Sequence, residues 1–354
     1  MLVRSLLSAA SILVFAAVLF ACTTKPSAPT APPQNGTVND TLYVPLKPEW
    51  TGFNQPSDIF IGREPFIYIA DTENDRVAML DVSGNLVGYS PRIRRPIAIG
   101  QDGLFDLLVC GEIDTVINGN QATLGAVYRI KLRNAKHDIA QAPMSLAYIE
   151  PGNPSRRFTG ITVLPGNVYL LTRVGPNNSS PIDPDNAVIQ ISAADKFMSP
   201  IAGLVPKGNA FNSISGLSSI STLSERSQDF IFTQTGSDMQ FKVQWLTFTS
   251  GEQSAWVQKV IPPTSDGSLF AVGRFSRPED VTTDNFGNIY VIDAAKDSLL
   301  KFTSQGIPMH SFGGPGKGER QFSGPKGVAW YDKTLYVADT KNNRIVRFRL
   351  STEQ

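Results

Sequence analysis

Three aspartates, Asp71, Asp293 and Asp339, each close an apolar run and precede a polar turn. A carboxylate so placed is a catalytic acid or a turn-former that accepts backbone N–H groups. Recurrence at three similar places favours the turn-former. Other reactive side chains are sparse. The chain has two histidines, His137 and His310, and two cysteines, Cys22 and Cys110. No His-x-His, His-Glu-x-x-His or paired-cysteine spacing occurs, which argues against zinc or iron. Asp183-Pro184-Asp185-Asn186 supplies oxygen ligands suited to calcium, without the spacing of a standard calcium loop. A solvated turn is its default reading. No Gly-x-Ser-x-Gly elbow points to a serine hydrolase, and the glycines from Gly313 to Gly318 lack P-loop spacing. No catalytic, cofactor-binding or metal residue is therefore assigned, and Ca2+ is the one ion left open.

The three aspartates belong to three similar stretches. Phe322 to Leu350 contains three runs of β-branched and aromatic residues separated by polar turn formers, the pattern of an antiparallel meander. Phe275 to Phe302 and Phe53 to Leu80 repeat it. In each, Phe precedes Pro by three residues (Phe53/Pro56, Phe275/Pro278, Phe322/Pro325), and Pro precedes Asp by 15, 15 and 14. Asp293 and Asp339 lie 46 residues apart. A period in the forties with about four short strands per copy predicts an all-β β-propeller.

The pattern Phe-x-x-Pro-x-Gly-Val-Ala, then Leu-Tyr-Val-Ala-Asp, then Asn-x-Arg-Ile resembles the NHL repeat. Phe322, Pro325, Gly327, Val328, Ala329, Leu335 to Asp339, Asn343, Arg344 and Ile345 carry the resemblance. Asp58, Glu279-Asp280 and Ser298 depart from it. The resemblance implies a propeller and says little about function. Some enzymes share this architecture. Sugar lactonases and arylesterase-like proteins hold a central divalent ion with Glu, Asn and Asp from inner-strand ends. The matching candidates here are Glu279, Asp280 and Asp58, with Asn212 and Asp102 as further contributors.

The spacing predicts six blades over residues 41–354, with seven as the alternative. The last blade has only three clear strands, so residues 41 to 46 are expected to supply its outer strand and close the ring. Blades two and three carry insertions, GEIDTVINGNQATLG and Val174 to Asn186, between their second and third strands. Corresponding links crowd one face, so both insertions should flank one surface, a candidate binding face.

Residues 1–21 carry one early arginine and then an apolar run, as a secretory signal does. Leu19-Phe20-Ala21-Cys22 resembles a bacterial lipobox, which implies a diacylated Cys22 at the mature N-terminus. Residues 22–40, rich in Pro, Thr, Ala and Ser, read as a flexible tether. The expected location is a bacterial envelope, lipid-anchored at the outer membrane. Cys110 lies in an apolar run and reads as a buried strand residue. Without residues 1–21, whose only charge is Arg4, basic and acidic side chains are equal at 31 each. Bulk charge therefore gives no support for a nucleic-acid partner. Arg92, Arg94 and Arg95 form a local basic cluster, read as a solvated link. Trp50, Trp245, Trp256 and Trp330 suit stacking on sugar rings if exposed, and packing between blades otherwise. The expected role is a non-catalytic module that binds an envelope protein or glycan. The alternatives are a metal-dependent hydrolase or lyase and a structural subunit of a membrane complex.

Overall fold

The computed structural model describes residues 43–180, 182–205, 212–251, 254–259 and 268–351. The signal, lipobox and tether fall outside the described residues, as do Thr41 and Leu42.

Among the described residues, twenty-four strands form six four-stranded antiparallel sheets. The first blade is β2 (Pro56–Ile61), β3 (Phe66–Asp71), β4 (Arg76–Asp81) and β5 (Leu86–Tyr89). The second is β6 (Arg94–Gln101), β7 (Asp106–Ile117), β8 (Asn120–Lys131) and β9 (Met144–Ile149). The third is β10 (Arg157–Val163), β11 (Tyr169–Val174), β12 (Ala187–Ile191) and β13 (Phe197–Pro200). The fourth is β14 (Leu217–Thr222), β15 (Phe230–Gln234), β16 (Val243–Thr249) and β17 (Ala255–Gln258). The fifth is β18 (Pro278–Thr283), β19 (Ile289–Asp293), β20 (Ser298–Phe302) and β21 (Pro308–Gly313). The sixth takes β22 (Gly327–Tyr331), β23 (Thr334–Asp339) and β24 (Arg344–Leu350) from the end of the chain and β1 (Tyr43–Thr51) from its beginning. The ring is a six-bladed β-propeller with NHL-like repeats, and the seven-blade alternative falls.

β1 runs antiparallel to β24, from Tyr43↔Leu350 to Thr51↔Arg344, with a register shift between Leu46 and Trp50. It is the outermost strand of its sheet, where Pro45 removes a donor at no cost to the ladder. The Tyr43 hydroxyl lies 2.5 Å from that of Tyr290 in blade five, and Arg320 donates to the Tyr43 carbonyl. The closing strand is thus tied to its neighbour blade as well as to its own sheet.

Each seam between blades holds one apolar cluster. Tyr68, Met79, Ile99 and Leu107 pack between blades one and two. Tyr290, Leu299, Val337 and Phe348 pack between five and six. Trp50, Ile69, Ala78 and Tyr336 pack between six and one. A single sheet buries its apolar faces only against its neighbours, at about 1.5–3 kcal/mol per buried large side chain, so the ring must be complete to be stable. Trp50 and Trp245 are buried in these seams, and Trp256 lies against Phe230 and Phe248.

The blade-two insertion is an extension of its second and third strands. β7 and β8 run on as a twelve-residue pair, meeting at Ile117↔Asn120 around Asn118-Gly119, both at positive φ. The Asn-Gly pair is a hairpin turn signal, and it stands in the sequence. Blades two and three each have an outer strand, β9 and β13, as a four-stranded repeat requires. In blade four the inner strand begins at Leu217 and the third strand at Val243.

Candidate functional site

The inner strands β2, β6, β10, β14, β18 and β22 surround an axial cavity of about 1200 Å³. Their starts lie at the face that also carries the links between second and third strands. The β7–β8 hairpin and the described residues of the blade-three insertion, 174–180 and 182–186, therefore rise beside the same mouth. On the opposite face Arg63 of blade one and Glu225 of blade four reach within 3.8 Å of each other. Those blades stand across the ring, so this pair spans the far mouth.

The closing aspartates act as turn-formers. Asp71 accepts the N–H of Asn54 at 2.7 Å, Asn74 Nδ2 at 2.8 Å and Arg76 Nε at 2.8 Å. Asp339 accepts Ser323 N–H at 2.7 Å, Asn342 Nδ2 at 2.8 Å and Arg344 Nε at 2.7 Å. Asp293 accepts the N–H groups of Ser276, Arg277 and Ala295. Each pins the segment leading into its inner strand. The threonine after two of them does a job the sequence did not reveal. Thr72 donates to Pro96 O and Thr340 to Pro56 O, both at 2.8 Å, stapling one blade to the next.

In the irregular blades the same register position holds other residues. Gln234 pairs with Leu217 as Asp71 pairs with Pro56. Its Oε1 accepts Ser215 N–H at 2.9 Å, an amide doing the aspartate's work. In blade three the position is Arg173, paired with Phe158. Arg173 Nη1 meets Glu150 Oε1 at 2.9 Å and Nη2 meets Asp183 Oδ1 at 2.7 Å. Arg156 meets Glu150, Asp183 and Asp185 at 2.9, 2.9 and 2.8 Å. Both arginines are buried. Burial opposes ionisation of Asp183, and the two guanidinium groups outweigh it, holding its carboxyl below the usual range. Asp185 Oδ2 accepts Asn177 N–H at 2.7 Å, and Asn186 Oδ1 accepts Gly216 N–H at 3.0 Å. The candidate calcium oxygens are thus engaged by the chain's own cations and amides, and the insertion is fixed to the rim.

The lactonase-like candidates separate into three places. Asp58 and Asp280 occupy equivalent inner-strand positions on the cavity wall, paired with Ala70 and Ile292. Asp58 Oδ2 accepts Ile99 N–H at 2.7 Å, across the seam to blade two. Asp280 Oδ2 accepts Val328 N–H at 2.8 Å, across the seam to blade six. Burial pushes Asp58 up to about 6. Burial, and then the charge of Asp58, push Asp280 well above the carboxylate range. Between them blade six has Gly327, where an added Cβ would lie 2.8 Å from Asp58 Cα. The inner strands approach too closely there for a side chain. Glu279 accepts Ser218 Oγ at 2.8 Å and pairs with Arg277 at 2.5 Å. Asp102 lies on the opposite face, bound to Arg129 at 2.5 Å. Asn212 lies in the link before β14, its carbonyl accepting Val205 N–H at 3.0 Å. Among the described residues no three of His, Cys, Asp and Glu gather as a metal would require. These residues do not converge into the divalent-ion set that the lactonase-like resemblance implies.

Arg92, Arg94 and Arg95 are each paired, with Asp75, with Glu112 and Asp114, and with Glu73. Cys110 is wholly buried, and burial raises its thiol pKa. His137 Nδ1 lies 3.4 Å from Glu64, and His310 stacks on Phe312.

No family model matches the chain. A segment of 84 residues is 36% identical to NHL repeat-containing protein 2 of Gallus gallus and 34% identical to that of Bos taurus. The segment is 22% of this chain and spans 12% of the length of those proteins. Among solved structures, a putative gluconolactonase superposes with a TM-score of 0.57 at 11% identity, covering 88% of this chain and 93% of that one. An auxiliary nutrient binding protein from Bacteroides thetaiotaomicron gives 0.56 at 11%, covering 84% and 70%. A gluconolactonase from Xanthomonas campestris gives 0.53 at 12%, covering 85% and 88%. At these identities the likeness is one of fold.

Proposed function

We propose that this chain is a lipid-anchored binding module of a bacterial envelope, held at the outer membrane through Cys22, and that its insertion face receives a protein or glycan. The observation that carries the reading is the raised rim. The β7–β8 hairpin and the arginine-pinned loop of residues 174–186 rise from one face beside the cavity mouth. Two preformed walls around a concave site lower the ordering cost of binding. The test is co-purification of the detergent-extracted protein, native and with residues 113–124 replaced by a two-residue turn. A partner or glycan held by the native chain and lost from the shortened one supports the reading. Recovery of the native chain only as a bare monomer counts against it. Anchoring is tested separately. Cys22→Ser should move the protein to the soluble fraction and abolish labelling by a fatty-acid analogue.

A second reading, lactone hydrolysis, rests on Asp58 and Asp280. Both are buried carboxyls on the cavity wall whose raised pKa values suit proton donation. Structural neighbours named as gluconolactonases share the fold. Sugar-lactone turnover with and without added divalent cations tests it, and no turnover under either condition retires it.

A further inference from the structure

Blade five treats its closing aspartate differently from its sister blades. Asp71 and Asp339 each meet an arginine five residues on and an asparagine three residues on. Blade five has Ser298 and Lys296 at those places. The Lys296 ammonium bypasses Asp293 and donates to the Arg274 carbonyl at 2.5 Å. From blade four, Lys242 donates to the Ser276 carbonyl at 2.5 Å. Arg274 lies over the Phe302 ring, 5.6 Å from its centroid, and its Nε is buried without an acceptor. Three cations therefore converge on the segment Arg274–Ser276, at the face that carries the hairpin and the rim loop.

None of the three forms an ion pair with a carboxylate of the described residues, whereas the neighbouring Arg277 pairs with Glu279. Asp293 is wholly buried, and backbone N–H groups occupy its oxygens. Burial weakens the protonated form of Lys296. Asp293 opposes that effect, and the charges of Arg274 and Lys242 add to it. Each ammonium has three donors, and one carbonyl satisfies only one of them. Like charges gathered together repel one another, and an anion set among them offsets that repulsion.

We propose that Lys242, Arg274 and Lys296 form a binding notch for an oxyanion group, phosphate or carboxylate, at the seam of blades four and five. Charge-assisted bonds from two ammonium groups and a guanidinium suit either oxyanion. The notch is separate from the axial cavity and does not depend on what the cavity binds.

The test is calorimetric titration of the whole propeller in low-chloride buffer, with inorganic phosphate and with acetate as probes. Saturable binding of at least one probe is expected. Lys242→Gln and Lys296→Gln should each weaken it about tenfold, the loss of one charge-assisted bond. The double variant should not bind, and Lys131→Gln on blade two should bind as the native chain does. The saturating probe should raise Tm in the native chain and not in the double variant. Without anion the double variant should melt no lower than the native chain, which separates loss of binding from misfolding. Vesicles containing phosphatidylglycerol distinguish the source. Retention of the native chain but not the double variant assigns a lipid headgroup, whereas binding of the free probe alone assigns a soluble solute. Native affinity in the double variant, or no saturable binding of either probe by the native chain, overturns the proposal.

Discussion

Asp280 Oδ2 accepts the backbone N–H of Val328 at 2.8 Å, joining blade five to blade six across a seam that no sheet ladder crosses. Adjacent inner strands belong to different sheets, so their facing amides need side-chain acceptors. Asp280→Ala leaves that N–H unsatisfied and should lower stability by about 1–3 kcal/mol in urea unfolding. Asp280→Asn keeps an acceptor oxygen and is neutral, the state that burial already favours at Asp280, so it should stay within about 1 kcal/mol of the native chain. Equal losses for the two would refute the clamp.

Asp58 makes the same clamp, and its titration has a definite sign. Burial pushes it up to about 6 in the folded chain, against about 4 when unfolded. The folded state therefore holds the proton more tightly. The stabilisation is complete below about pH 4 and is lost as the pH rises through about 6, by on the order of 3 kcal/mol. Asp58→Asn lacks this dependence. Unfolding midpoints of both chains from pH 4 to pH 7 should separate in that window, the native chain losing ground as the pH rises. Parallel curves would contradict it.

Removing one cation from the rim should free the insertion. Arg173→Met leaves Glu150 and Asp183 each short of a partner in a mostly buried network. Arg156 still meets both carboxylates and the Asp183 side chain is 56% exposed, so the expected cost is about 1–3 kcal/mol, together with new proteolytic cleavage within residues 174–186. A loop as resistant as in the native chain would show that Arg156 alone holds it.

Ring closure offers a milder test. Tyr43→Phe deletes the hydroxyl contact with Tyr290 and keeps the ring in its seam. A loss of about 1 kcal/mol is expected by denaturant unfolding. Deleting residues 43–51 exposes the β24 edge and should yield concentration-dependent aggregation. A deleted chain that stays monomeric would refute the need for the strand.

The regular blades were legible in sequence because the same local problem recurs there. Phe, Pro and Asp mark a seam, an inner strand and a turn, and blades one, five and six keep all three. The irregular blades solve the turn with other chemistry. Gln234 and Arg173 take the aspartate's place, and only register shows it. The β7–β8 hairpin was hidden by its polar alternation, which belongs to a two-stranded arm with little core to face. The pairing of Arg156 and Arg173 with Asp183 joins residues up to 27 apart in sequence. The convergence of Lys242, Arg274 and Lys296 spans two blades. No spacing rule records contacts of that kind.

The pairing of first strand with last also sets how the ring bears force. Tyr43 faces Leu350 at one end of the β1–β24 ladder, so a pull on the chain ahead of Tyr43 opens the ladder by peeling, one rung after another. Peeling would begin at the rung that Tyr290 and Arg320 secure. That rung therefore carries two ties that the ladder itself does not supply, and a propeller tugged ahead of Tyr43 should hold until they fail.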